Sequence, residues 1–440
     1  MVVEMNETNK NVRIRNPSNY EDLSGRFRLL IRSYDKQFAS IYTVRIIEAR
    51  RKLEKIVPKK WGKPAQTLMS LNNVKGEPCV IIGTLYKHQE LKPSVLQEVS
   101  KQYQTVPPPA RTHFVSDKDE LILEDETQRV VLHGKMNVHE VVTGCVVAVY
   151  GKLMNNGVFE VEDFCWPEVE PCTKNLPPPV EDKFLILMGG IELAINRESL
   201  SLQLLIDWIT GWVGLNELIF DPSKIVHALI AGNCIRSKAQ TKPKYGAIID
   251  NAEDVEAVKE LDYVISQLLG SIDVDVMPGE FDPTTHTLPQ QPLHKCLFPQ
   301  SAAFPTFHSV SNPHAFRVEN RLVVGTSGQP VEDIQRYSSL TDPLDILERT
   351  LEWGHLAPTA PDTLACYPFS DRDPFILKER PHIYFVSNQA KFQTKVKEYD
   401  NGYSVRLICV PSFFQTNSCV IVNLRNLECQ EISFDVNKSG

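Results

Sequence analysis

Glycine is scarce in this chain, and long apolar runs are missing. The 440 residues hold 21 glycines against 30 prolines, the reverse of average usage, which points to long ordered loops. Phe184–Ile191 is among the longest apolar stretches, at eight residues including two glycines, whereas a membrane span needs about 20; a soluble chain is expected. The opening residues Met1 to Glu7 have neither a basic n-region nor an apolar h-region, so no secretory leader is expected. None of the ten cysteines forms a C-x-x-C pair, and most lie in apolar runs. They read as buried free thiols of a reducing compartment, not as zinc ligands. There is no G-x-x-x-x-G-K-[ST] phosphate loop and no G-x-G-x-x-G turn. A basic excess is missing too: 47 Lys+Arg face 55 Asp+Glu, for a net charge of −8. That excludes a generally basic nucleic-acid coat.

The charge is unevenly spread. Residues 1–60 carry 14 basic and 7 acidic side chains, and the remainder of the chain is acidic. Within this arm Phe38, Tyr42, Ile46, Ala49, Leu53 and Ile56 follow helical spacing. Arg45, Arg50, Arg51 and Lys52 are expected around the other sides, and Pro58 is expected to end the helix. The arm reads as a solvated helix face, as an element packed on the acidic body, or as a docking segment for an acidic partner.

From residue 78 to about 164 the period changes to two. Cys79–Tyr86, Leu121–Leu123, Arg129–Leu132, Thr143–Tyr150 and Val158–Val161 read as strands, with Asn155-Asn156-Gly157 as a hairpin turn. Five short antiparallel strands in this span suggest an OB-type Greek-key barrel, with a β-sandwich fragment as the alternative. Such barrels often bind single strands through aromatics and basic grooves. This one is acidic and holds few aromatics (Tyr86, Tyr150, Phe159), so protein contact is the expected use. Pro171 to Pro179, with three consecutive prolines at 177–179, reads as a semi-rigid linker.

Beyond residue 180 strands alternate with helices. Phe184–Met188, Ile225–Ala231, Val274–Met277, Arg321–Val324, Ile383–Val386, Val405–Val410 and Val420–Leu424 read as strands. Leu200–Trp208, Glu253–Leu269 and the stripe Leu344, Leu347, Leu351 read as helices. A two-layered α/β sandwich follows. The division expected is a basic arm with its helix (1–60), an OB-fold domain (61–170), a Pro-rich linker (171–182) and an α/β domain (183–440). His286, His294, His308 and His314 have no metal-ligand spacing and read as loop or core residues; Cys296 has no evident base partner.

Several strands end in glycine followed by a polar residue, the place where α/β folds hold ligands. The order of these endings resembles the calcineurin-like metallophosphoesterases. That resemblance implies D-x-H, G-D, G-N-H-[DE], a single histidine and G-H-x-H at successive strand ends. Carboxylates and neutral imidazoles there hold two divalent cations and activate water. This chain departs at nearly every ligand. It has Gly190-Ile191-Glu192, then Gly232-Asn233, then Gly279-Glu280-Phe281-Asp282. Ser327-Gly328 follows, and then Ser387-Asn388-Gln389-Ala390. Gly190, Glu192, Asn233, Glu280, Phe281, Asn388 and Ala390 are therefore expected to be degenerate former metal-site positions, with no metal or other cofactor and no catalysis. The rival expectation is a phosphodiesterase or nuclease with a rearranged one-metal site built from Glu192, Glu280 and Asp282.

A barrel of this type followed by an inactivated phosphoesterase domain resembles the B-subunit family of replicative DNA polymerases. Val274 to Pro283, Thr287 to His294, Gly325 to Gln329, Pro358 to Leu364, Cys366 to Phe369 and Leu121 to Glu126 resemble the small subunits of the eukaryotic delta enzymes within it. The resemblance runs from about residue 30 to the C-terminus and implies a nuclear, non-catalytic scaffold. Its implied partners are the Cys-rich C-terminal domain of a catalytic subunit and the N-terminal domain of a third subunit. That third subunit provides an indirect link to the sliding clamp. Little direct nucleic-acid binding is expected.

Overall fold

The computed structural model describes residues 15, 17–62, 66–68, 71, 74, 76–93, 111–172, 176–193, 200–213, 221–236, 252–400 and 402–434. The chain opens with a short strand β1 (Tyr20–Asp22) and the long helix α1 (Ala39–Trp61). Pro58 does not end α1. It sits in the last turn, where its missing N–H costs one hydrogen bond, and the helix closes at Gly62 (φ 73), whose N–H donates to the Pro58 carbonyl.

A barrel follows, made of β2 (Gln66–Leu68), β3 (Cys79–His88), β4 (Glu120–Glu124), β5 (Arg129–Gly134), β6 (Val146–Leu153) and β7 (Val158–Cys165). The strand order is β2-β3-β4-β5-β7-β6, and pairing of β3 with β6 closes it. It is not purely antiparallel: β2 runs parallel to β3, and β5 parallel to β7. The Asn155-Asn156-Gly157 turn joins β6 to β7, with Gly157 at φ 81. The β6 strand begins later than its Val-rich sequence suggests. Gly144 (φ 93) lies against the Pro358 carbonyl, and a Cβ there would be 2.0 Å from that oxygen.

The body contains β8 (Phe184–Met188), α2 (Leu200–Thr210), β9 (Ile225–Ala231), α3 (Ala252–Leu269), β10 (Asp273–Met277), β11 (Phe307–Ser309), β12 (His314–Val318) and β13 (Arg321–Thr326). It continues with α4 (Gln329–Tyr337), α5 (Pro343–Trp353), β14 (Ile383–Gln389), β15 (Gln393–Glu398), β16 (Ser404–Pro411), α6 (Phe413–Thr416), β17 (Ser418–Asn423) and β18 (Cys429–Ser433). Two six-stranded sheets form, β11-β10-β9-β8-β17-β18 and β1-β12-β13-β14-β16-β15. Leu185, Leu187, Leu229, Phe316, Val323, Phe385 and Ile408 pack between them. Helices α2 and α3 cover the outer face of the first sheet through Leu205, Ile206, Leu261 and Ile265. Helices α4 and α5 cover the second through Val331, Ile334, Ile346, Leu347 and Leu351. The sandwich therefore has four layers rather than two, because each sheet is apolar on both faces and must be covered twice.

Strand β1 and helix α1 both bind the arm into this architecture. Strand β1 pairs antiparallel with β12 at the edge of the second sheet. On α1, Ile46, Ala49, Leu53 and Val57 pack on Val80, Ile82, Val146 and Ala148 of the barrel. One continuous apolar cluster then runs from the barrel interior to α4 and α5. Among the described residues no helix is long and apolar enough to cross a membrane. Among the described residues no disulfide forms; eight cysteines are buried, Cys429 is half-buried and Cys296 is exposed.

Candidate functional site

The strand ends that the sequence marks meet at one edge of the sandwich. Glycine makes this possible. A Cβ on Gly189 would lie 2.1 Å from Ser387 Oγ, and one on Gly232 2.2 Å from Ser327 Oγ. A Cβ on Gly279 would lie 2.3 Å from the Asn233 nitrogen and Oδ1, and one on Gly190 2.5 Å from Ser412 Oγ. The ends of β8, β9, β10, β13, β14 and β16 thus approach backbone to side chain, with no room for added carbon. Gly190 (φ 66), Glu192 (φ 51), Gly232 (φ 85), Asn233 (φ 53) and Asn388 (φ 61) all adopt left-handed backbone. For Glu192, Asn233 and Asn388 this is a sparsely populated conformation held by the surrounding structure.

The polar groups bind one another. Asn388 Nδ2 donates to the Ser327 carbonyl at 2.6 Å and to the Ala231 carbonyl at 3.2 Å. Asn233 Oδ1 accepts from the Phe281 N–H at 3.3 Å. Asp282 is buried and accepts from the N–H groups of Gly279 (2.7 Å) and Ile235 (2.9 Å). Burial lifts its carboxyl to about 6, against those hydrogen bonds. The buried Glu192 carboxylate is held by Arg236 at 3.1 Å, and the Arg236 guanidinium stacks 4.3 Å above the Phe281 ring. Glu280 turns away into a cavity of about 150 Å³ shared with His286, Glu332, Asp333 and Arg336. Ala390 is exposed at the rim. Among the described residues no three His, Cys, Asp or Glu side chains are grouped so as to hold a metal ion. The oxygens that remain unbonded, Ser387 Oγ and Asn388 Oδ1, are neutral.

Sequence reasoning marked Ser327 and Ser387 only as members of the strand-end segments and did not single out Ser412 or Arg236; all four fill and tie this edge. Ser327 and Ser412 stand directly after β13 and β16, Ser387 lies near the end of β14, and that placement is their one signal. It also missed the centre between barrel and body, where Arg45 of α1 is buried. Arg45 Nε donates to Asp373 Oδ2, and its Nη atoms donate to the carbonyls of Gly144, Pro358 and Ala360. The stripe Ile41, Arg45, Ala49, Leu53, Val57, four residues apart and buried throughout, contains it.

A barrel rich in short strands joined to a strand-end cluster of this kind defines a class. The chain matches the family model described as "DNA polymerase delta subunit OB-fold domain" over residues 37–164, and the model for the B subunits of DNA polymerases alpha and epsilon over residues 185–394. It is a B-type polymerase subunit with an N-terminal OB-fold domain and a mixed α/β body. It is 42% identical over 424 residues to "DNA polymerase delta subunit 2" of Drosophila melanogaster, covering 95% of this chain and 97% of the relative. It is 41% identical to "DNA polymerase delta small subunit" of Oryza sativa subsp. japonica, covering 96% and 98%. It is 31% identical to the protein of the same name in Saccharomyces cerevisiae, covering 92% and 91%. The chain belongs to the family of DNA polymerase delta small subunits.

Proposed function

We propose that this chain is a non-catalytic, nuclear scaffold of DNA polymerase delta, acting in replication and repair. It would bridge the Cys-rich C-terminal domain of the catalytic subunit and the N-terminal domain of a third, clamp-linking subunit. In this reading residues 61–170 are the OB domain, 171–182 the linker, and 183–440 a body descended from the calcineurin-like phosphoesterases. Two sheets packed face to face under helices, with glycine-rich strand ends meeting at one edge, support that descent. The linker lies in the interval between the two family matches.

The observation that carries the non-catalytic reading is the chemistry of the strand-end donors. A pair of divalent cations brings a charge of +4, and carboxylates and imidazoles must balance and hold it. The groups facing one another here are serine, asparagine and glycine. Each nearby carboxylate is engaged elsewhere: Glu192 with Arg236, Asp282 with two N–H groups, Glu280 in a separate cavity. This donor set does not fit a dinuclear centre. It also weakens the one-metal alternative built from Glu192, Glu280 and Asp282. A rigid body of two joined domains suits assembly, and permanent complexes commonly bury about 2,000–5,000 Å². Holding a clamp-linked subunit to the polymerase would raise its local concentration at the clamp.

The test has two parts. The purified chain should co-purify with the C-terminal domain of the catalytic subunit and carry no stoichiometric Mn, Fe or Zn. Mn-dependent hydrolysis of single-stranded DNA or bis-p-nitrophenyl phosphate that disappears in Glu280→Gln would overturn the scaffold reading.

A further inference from the structure

Between α1 and the barrel lies a cavity of about 450 Å³, within the ~300–1,000 Å³ range of ligand-binding clefts. Its floor is apolar. Ile46 and Leu85 are buried beneath it, and the half-buried rings of Tyr42 and Tyr86 line it. Ile47, 39% exposed, and Phe38, 45% exposed, carry apolar surface beside it on the same helix end. Every charged side chain in its lining is a carboxylate: Glu124, Asp125, Glu126 and Asp362. Three are engaged from outside the cavity. Arg129 pairs with Glu124, Lys92 with Asp362, and Asp125 accepts from backbone N–H groups of its own turn and of Leu71. Glu126 is exposed and has no ion pair among the described residues.

This combination selects an occupant. The apolar floor needs aliphatic or aromatic side chains, since exposed surface of this kind marks an interaction site. The acceptor-only rim needs donors and repels anions, so phosphate backbones are disfavoured and cations are favoured. We propose that the groove between α1 and the barrel docks a partner segment in which lysine or arginine flanks apolar anchors. The proposal does not depend on the polymerase reading, because it rests on the groove alone.

The test uses the full chain and three fluorescent probes read by anisotropy. One is a 12-residue peptide of leucine and lysine at helical spacing, the second has glutamate for each lysine, and the third is oligothymidylate. The lysine peptide should bind, and more weakly as salt rises. Glu126→Lys combined with Thr43→Lys should weaken it about tenfold or more, and so should the uncharged change Ile47→Gln. Glu398→Lys, on β15 of the body, should leave it unchanged. All four substituted side chains are surface groups, and unchanged unfolding midpoints would show that the fold is intact. Equal binding to every variant would mean that a negative protein attracts any cation, and would overturn the proposal. So would failure of the lysine peptide to bind, or preferential binding of the glutamate peptide or of oligothymidylate. A dimer of the chain that dissociates in Thr43→Lys would also overturn it, by making a second copy the occupant.

Discussion

Arg45 Nε donates to Asp373 Oδ2 at 2.7 Å, with both side chains closed off from solvent. The pair joins α1 to the body, and the other nitrogens of Arg45 reach carbonyls of both the barrel (Gly144) and the body (Pro358, Ala360). A buried ion pair adds little net stability against an apolar replacement, but removing one partner strands the other. Arg45→Ala should therefore cost about 3–5 kcal/mol, because it leaves the Asp373 carboxylate buried and three carbonyls without a donor. Urea unfolding of the two variants Arg45→Ala and Arg45→Met/Asp373→Asn checks this. The double variant should lose less than the single one, and the reverse order would contradict the account.

His355 shares the same carboxylate. Its Nδ1 accepts from the Ala357 N–H, so Nε2 carries the proton and donates to Asp373 Oδ2 at 2.9 Å. That geometry satisfies the neutral ring. Burial, aided by Arg45, pushes its pKa down to about 4. For Asp373 burial works the other way, but Arg45 and His355 outweigh it and hold the carboxyl below its ordinary range. Between an unfolded value near 6.5 and the folded value near 4, the unfolded chain binds a proton that the folded chain does not. Stability should therefore fall as pH drops from about 6.5 to about 4. His355→Gln, which keeps a donor and an acceptor, should flatten that slope. His382, also pushed to about 4 by burial and by Arg321 and Arg317, should supply part of what remains, opposed by Asp282, whose carboxyl at about 6 takes up a proton in the folded chain over the same range.

These two residues also show where the sequence was legible and where it was not. Strand β8 announces itself as a continuous apolar run and β9 as one broken only by His227, because helices cover one face of their sheet and the second sheet covers the other. Helix α3 shows in its three-and-four spacing. The glycine-polar strand ends locate the candidate site for the same reason: only such residues permit that approach. Strand β1 is Tyr-Glu-Asp, and its pairing is set by β12, some 300 positions away, which no local pattern encodes. Arg45 looked like one charge among many in a basic helix. Its burial depends on Asp373 and three carbonyls supplied by distant loops, which helical spacing alone does not reveal.

The N-terminal strand is held by a polar and aromatic cluster between the two sheets. Tyr20 stacks over the neighbouring rings of His227 and His308, each 4.8 Å away, and its hydroxyl donates to Asp275 Oδ2 at 3.1 Å. The same oxygen meets His314 Nε2 at 2.9 Å, and His314 Nδ1 lies 2.6 Å from Ser24 Oγ of the arm. Tyr20→Phe, which removes one hydrogen bond, should cost about 1 kcal/mol. Tyr20→Ala, which also removes the stacked ring, should cost more and release β1. Hydrogen exchange at the amides of residues 20–24 should then speed up while β14 and β16 stay protected. Equal acceleration across the body would show that the arm is not a separately opening unit.

Gly279 tests whether the strand-end edge is closed. Its backbone lies outside the left-handed region, so alanine there adds no conformational strain and reports packing alone. The added methyl would sit 2.3 Å from the Asn233 backbone nitrogen and Oδ1 and 2.7 Å from Ser327 Oγ. Backbone cannot yield as a side-chain tip does, and overpacking of this kind costs about 1–3 kcal/mol. Gly279→Ala should lower the unfolding midpoint accordingly, with no change in bound metal. Gly211→Ala, where a Cβ meets nothing within 4 Å but φ is 90, gives the contrasting case, in which backbone conformation alone is charged. An edge that keeps a cation site needs volume for ions and water between its strand ends. Tolerance of Gly279→Ala at full stability would mean that this volume exists, and would reopen the metal-dependent alternative.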